Sequence, residues 1–135
     1  MERKVVVTGI GVISPVGSGK DKFWQSLIGG KSGIDRISSF DPSAFDSQVA
    51  GEVKDFDPED FLPRREYRKM DRFSQFAVCA SIMAMQDADV TPESMDEERA
   101  GVILGSGIGG IQTFEDQHQV LLNKGPGKIS AFFIP

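Results

Sequence analysis

At 135 residues the chain has the length of at most one ordinary domain, and 39% of it is apolar, with no apolar run near the ~20 residues that span a bilayer. Its formal net charge of −5 argues against a general nucleic-acid binder. The single cysteine, Cys79, excludes an internal disulfide and fits a reducing cytoplasm, while MERKVVVTGIG enters a strand-like run with no small-residue cleavage site.

Lys4 to Ile13 is a continuous, β-branched apolar run ended by Ser14-Pro15, which predicts a buried strand. The glycines around it resemble nucleotide-binding loops, but the spacing fails. A dinucleotide fingerprint needs a third glycine where Ser14 stands. A P-loop needs glycine at Ser14 and Ser/Thr at Asp21, and an acidic side chain there would repel phosphate. Ser18 is placed to cap a helix whose apolar face is Phe23, Trp24, Leu27 and Ile28, closed by Gly29-Gly30.

Lys31 to Asp60 reads as mostly irregular, with a short strand signalled by Val49, Gly51 and Val53. Asp57-Pro58 has the form of an N-cap followed by proline at the first helical position. A long helix is predicted from about Arg64, its stripe being Met70, Phe73, Ala77, Ala80 and Ala84. Thr91-Pro92 begins an acidic helical turn through Glu98, and Ala100 to Leu104 is predicted as a second buried strand running into GSGIGG. Ile111, Phe114, His118 and Leu121 mark a further amphipathic helix stopped by Asn123 and Gly125, and Lys128 to Pro135 is expected to be extended. Strands alternating with helices argue an α/β fold with a largely parallel sheet. Two core strands are too few to complete one, and the apolar end Phe132-Phe133-Ile134-Pro135 looks cut, so the chain is expected to be a fragment.

A Cys–His dyad is disfavoured. Cys79 lies deep in the long helix, away from the dipole end that would favour a thiolate, and His118 falls on the apolar stripe of its own helix. No Cys/His/carboxylate spacing suggests a metal site. The run RREYRKMDR is more informative. Arg64, Arg68 and Arg72 recur at helical spacing with Arg65 and Lys69 alongside, a positive stripe on an acidic chain. It reads either as a solvated face balanced by Asp57, Glu59, Asp60 and Asp71 or as a docking site for an acidic partner. Nucleic acid is the poorer partner, because Phe73 and Phe76 fall on the packing side of the helix. In GSGIGG the glycines would bring backbone close to a ligand, and Ile108 would be a wall or gate of a pocket.

Together VVVTGIGVISPVG, Ala50-Gly51-Glu52-Val53 with Asp55-Phe56, RKMDRFSQFAVCA, GVILGSGIGG and KISAFFIP resemble the N-terminal part of β-ketoacyl-acyl carrier protein synthases of the type II fatty-acid elongating kind, in unbroken order over essentially the whole chain. The resemblance implies an α/β, thiolase-like fold of layered αβαβα type, with residues 1–135 as its incomplete N-terminal part. It also makes VVVTGIGVISPVG a core strand and turn with no nucleotide. The implied reaction is a decarboxylating Claisen condensation: an acyl group on an active-site cysteine is attacked by the carbanion from malonyl-acyl carrier protein, with two histidines assisting. By the same resemblance the nucleophile and both histidines lie beyond Pro135, leaving no catalytic residue here, and no metal or other cofactor is called for.

Carried over position by position, Gly107 and Ile108 match residues that line and gate the acyl pocket, and Phe133 one that reaches the partner subunit's pocket in a homodimer. Arg65, Arg68, Lys69 and Lys128 match basic positions that dock acyl carrier protein. Gly127 stands where a second basic residue is common, and Ala131 where proline often occurs. The competing readings are a nucleophile-less chain-length-factor partner and a stand-alone carrier-binding module. Neither nucleic acid nor membrane is an expected partner.

Overall fold

The computed structural model describes residues 4–133. Met1–Arg3 and the Ile134-Pro135 end of the predicted apolar run lie outside the described residues. The chain divides into two compact units, Met1–Asp57 with Cys79–Ala100 and Pro58–Val78 with Gly101–Pro135.

In the first unit β1 (Ile13–Ser14) pairs antiparallel with β2 (Gly17–Ser18), and β3 (Asp35–Arg36) with β4 (Val49–Ala50). These two ladders are the only ones among the described residues, so the expected parallel sheet is not present there. The predicted buried strand over Lys4–Ile13 is corrected accordingly. Only its last residue joins a ladder, and Val5, Val6 and Val7 are exposed. A buried strand needs neighbouring strands on both sides for its N–H and C=O groups, and among the described residues the one ladder that reaches this run meets it only at Ile13.

The glycines in that run have a packing role. A Cβ at Gly9 would fall 2.8 Å from the Ala88 Cβ, and one at Gly11 would fall 2.8 Å from the Ala80 carbonyl carbon and the Ala84 nitrogen. Residues 9–11 thus lie directly against the alanine side of a helix, an approach that only glycine permits. Asp87 pins the contact by accepting the Ile10 N–H at 3.0 Å and a hydrogen bond from Lys20. The Lys20 ammonium and the Ile10 N–H hold its carboxyl below the usual carboxylate range.

Helix α1 (Lys20–Ile28) forms where predicted, but of its predicted face only Phe23 is half-buried. Gly19, not Ser18, is its N-cap, and the Ser18 hydroxyl is buried without a hydrogen-bond partner. Ser26 is the buried residue and donates its hydroxyl to the Val16 carbonyl at 2.8 Å, whereas Trp24, Leu27 and Ile28 are exposed. The loop between β3 and β4 is anchored by Glu52, whose carboxylate accepts the Ser38 and Ser39 N–H groups and the Ser38 hydroxyl.

The single long helix expected from Arg64 is two helices, α2 (Arg64–Tyr67) and α3 (Arg72–Asp87). Gln75 accounts for the break, because its side-chain amide donates to the carbonyls of Tyr67 and Met70, each at 3.1 Å. The Tyr67 carbonyl also accepts the Met70 N–H at 3.0 Å, so the amide adds a second bond there and caps the Met70 carbonyl where α2 ends. Cys79 is fully buried in α3, and burial pushes its thiol up, consistent with an inert core position. Pro92–Ser94 form a short 3-10 turn, shorter than predicted, closed by the Ser94 hydroxyl accepting the Thr91 N–H.

The segment 100–104, predicted as the second buried strand, is not a strand. Val102, Ile103 and Leu104 are exposed, with no ladder partner among the described residues. Helix α4 (Ile111–Lys124) ends at Gly125 as predicted. Its less exposed positions include Thr113, Gln117 and Val120, while Ile111, Phe114, His118 and Leu121 of the predicted stripe are exposed. The segment expected to be extended from Lys128 instead turns, through a 3-10 helix at Pro126–Lys128 and a bend at 131–133.

Candidate functional site

Helix α4 organises a cleft in the second unit through three side chains on its first two turns. Thr113 donates its hydroxyl to the Asp71 carboxylate in the turn between α2 and α3. Phe114 lies 6.1 Å, centroid to centroid, from the Phe133 ring. Gln117 accepts the Ser130 N–H at 2.7 Å, and the Ser130 hydroxyl in turn accepts the Phe132 N–H at 3.1 Å. Thr113 and Gln117 are polar residues at the less exposed positions of an otherwise apolar pattern. They point inward because main chain and carboxylate from neighbouring segments need partners.

The cleft has a volume of about 980 Å³. Arg68 and Lys69 stand at its cationic edge, Phe73, Phe114 and Phe133 supply aromatic wall, and Ile108 and Ile111 supply aliphatic wall. The Lys69 ammonium sits 5.1 Å from the centroid of Phe132, a cation–π contact that holds a charged side chain at an apolar rim. Ile108 is 79% exposed, so its side chain is available to whatever enters. Gly109, just after it, has φ +76, and a Cβ there would be in ordinary contact with the Phe73 ring at 3.6 Å. That conformation strongly favours glycine. An amphipathic ligand fits such a lining, with an anionic part at the Arg68 and Lys69 edge and a hydrocarbon part against the aromatic and aliphatic walls.

The sequence-predicted residues divide. Ile108, Phe133, Arg68 and Lys69 come together around this cleft. Gly107 adjoins it in sequence without lining it, and a Cβ there would meet nothing within 4 Å. Arg65 projects to solvent, its Nε 3.8 Å from a Glu66 carboxylate oxygen, and Lys128 is exposed on its 3-10 turn. Because the helix breaks after Tyr67, Arg64, Arg68 and Arg72 do not form one continuous helical stripe. Phe73 is 40% exposed rather than packed away, and Arg72 lies over the Phe76 ring at 4.9 Å. His118 is exposed and stacks on Phe114 at 6.3 Å, so the core position expected for it is not observed. No Cys or His lines the cleft. Asp71, Thr113 and Gln117 were not anticipated as site residues, since each acts through a partner far away in sequence.

Residues 2–135 match the family model for the β-ketoacyl synthase N-terminal domain, and the chain belongs to that family. It is 46% identical over 134 residues to a 3-oxoacyl-(acyl-carrier-protein) synthase 2 of Synechocystis sp., covering 99% of this chain and 32% of the relative. Among solved structures it is similar to the ishigamide ketosynthase/chain length factor, with a TM-score of 0.81 and 32% identity over 95% of this chain and 32% of that one. It is also similar to a chain from a type II PKS acyl-carrier protein in complex with its ketosynthase bound to the hexaketide. There the TM-score is 0.75 and the identity 26%, over 94% of this chain and 33% of the other. The fold is therefore the mixed α/β N-terminal part of a thiolase-like ketosynthase, and the chain spans about a third of the length of these relatives. No helix among the described residues is long and apolar enough to cross a membrane.

Proposed function

We propose that residues 1–135 are the N-terminal part of a β-ketoacyl-acyl carrier protein synthase that performs decarboxylating Claisen condensation in fatty-acid elongation. The chain supplies acyl-pocket wall and carrier docking, and the nucleophile and its histidines are supplied by the region that follows. One observation carries this reading: a single cleft gathers Ile108 and Phe133 beside the cationic side chains of Arg68 and Lys69. The share of its relatives' length that the chain spans, and the unpaired runs at Val5–Val7 and Val102–Leu104, favour a domain completed by further strands. In that enzyme Arg65, Arg68, Lys69 and Lys128 meet the acidic surface of acyl carrier protein, Gly107 and Ile108 border the acyl chain, and Phe133 reaches the partner subunit of a homodimer.

The charges act on encounter and docking, not on bond-making, because rim charges chiefly steer association. Replacing both Arg68 and Lys69 with Glu in the enzyme should raise KM for carrier-bound substrate and flatten its salt dependence. Turnover of a small acyl thioester without the carrier should hold. Equal loss with both substrates would make the cluster structural and remove the docking assignment.

The likeness to the ishigamide ketosynthase/chain length factor favours one second reading, a nucleophile-less partner subunit. The residue that follows the next core strand separates the two, with Cys marking the synthase.

A further inference from the structure

The turn that carries Lys69 and the loop that carries Ile108 are joined by one acidic side chain. Asp71 lies two residues after Lys69, between α2 and α3. One carboxylate oxygen accepts the Thr113 hydroxyl, and the other rests on Gly110, where an added Cβ would overlap it. Gly110 is the N-cap of α4 and has no capping side chain of its own, and Thr113 is in the first turn of that helix. A carboxylate from elsewhere in the chain therefore stands at the positive end of α4, where both the helix dipole and a charge-assisted hydrogen bond favour it. Gly109, in its left-handed conformation, connects this anchored end directly to Ile108. Ile108 is 79% exposed and a Cβ added at Gly107 would meet nothing within 4 Å, so the side of the loop beyond Gly109 is open.

We propose that Asp71 is a positioning residue for acyl chain-length selection: through Thr113 and Gly110 it fixes the loop that sets Ile108 against the cleft. This rests on the reading of Ile108 as acyl-pocket wall. Asp71 and Thr113 themselves line the cleft, and the role assigned to Asp71 is exerted through Thr113 and Gly110 and not on the reacting atoms. It decides where the wall stands, and hence how sharply long primers are told from short ones.

The test uses the full-length enzyme and two readouts, hydrogen exchange of the 105–110 amides and kcat/KM across a series of acyl primers. Thr113→Val removes the donor while keeping the side-chain shape. It should speed exchange in 105–110 and change the long-to-short primer ratio by about fivefold, the size one net hydrogen bond supports. Thr113→Ser, which keeps the hydroxyl, should restore both, and Asp71→Asn, which keeps an acceptor oxygen, should fall between. Unchanged exchange in Thr113→Val, or a uniform activity change at all chain lengths, would overturn the proposal. Ile108→Phe serves as the reference. If it moves the primer profile and Thr113→Val does not, the Asp71 role alone is wrong. If neither moves it, the pocket reading fails and the selectivity role falls with it.

Discussion

Gly11 lies against the carbonyl group of Ala80, with room for a hydrogen atom and nothing larger. Gly9 stands in the same relation to Ala84 and Ala88 one turn further along. The sequence VTGIGV, which resembles a phosphate-binding turn, is in this protein a seam between an extended segment and a helix. Main chain sits on main chain, and small residues on both sides keep the approach close.

That seam predicts a sharp positional effect. Gly11→Ala would push a methyl group into main-chain atoms that have no rotamer to yield, so it should cost about 1–3 kcal/mol or more of stability. Gly101→Ala is the control, because a Cβ there meets nothing within 4 Å. Urea unfolding of the enzyme should show the first variant clearly destabilised and the second within ~0.5 kcal/mol of the parent. Equal midpoints would mean that residues 9–11 do not pack on the helix.

The break between α2 and α3 makes a second prediction. Gln75 donates to the carbonyls of Tyr67 and Met70, and the Tyr67 carbonyl also accepts the Met70 N–H, so Gln75→Leu should remove two bonds and leave the Met70 carbonyl short of a partner. The loss should be about 1 kcal/mol per bond. Exchange of the 68–71 amides should rise in the variant, and carrier-dependent KM should rise with it, since Arg68 and Lys69 ride on that turn. A variant with unchanged exchange there would show that the turn is held by other contacts.

These two relationships also mark how far the sequence can be read. The amphipathic pattern of α4 and its stop at Gly125 were legible because helix spacing and a glycine terminator are local signals. The break after Tyr67 was not, because it depends on a glutamine eight residues ahead turning back to the main chain, and nothing in RREYRKMDR announces it. The inward side of α1 was misjudged for a similar reason: Ser26 meets the Val16 carbonyl, so a polar residue faces in while Trp24 stays out. The two apolar runs predict buried strands and form none over residues 4–12 and 100–104, because pairing and burial of a strand are properties of its neighbours. Within the site, Ile108 was legible in the glycine run and Arg68 and Lys69 in the basic run, Phe133 only through family resemblance, whereas Asp71 and Thr113 are 42 residues apart and carry no motif.

Glu52 predicts a pH dependence. The Ser38 and Ser39 hydroxyls, and then their N–H groups, hold its carboxyl down from an ordinary 4.5 to about 2. A folded value below the unfolded one means that the contribution to stability is complete above about 4.5 and is lost as pH falls through about 2. Glu52→Gln should therefore lower Tm by a constant amount above that window, and the gap to the parent should close on acidification. A carboxyl 13C titration of Glu52 with a midpoint near 4.5 would remove the basis for the effect.

Ile108 supports the most direct test of the acyl pocket. It is the one bulky side chain in Gly105-Ser106-Gly107-Ile108-Gly109-Gly110, it lines the cleft, and it is 79% exposed. Few contacts of its own would be lost on replacement, so Ile108→Phe should change the space offered to a ligand more than the stability of the fold. If the side chain borders the acyl chain in the full-length enzyme, the larger ring shortens the usable cavity. Each methylene then excluded forfeits about 0.8 kcal/mol of burial, or about fourfold in kcat/KM. Long primers should be rejected progressively while short ones are elongated at close to the original rate. The measurement is kcat/KM for parent and variant across primers of increasing length, with Tm recorded for both. A uniform drop at every length, or a lowered Tm with an unchanged profile, would place Ile108 in ordinary packing and take it out of the pocket.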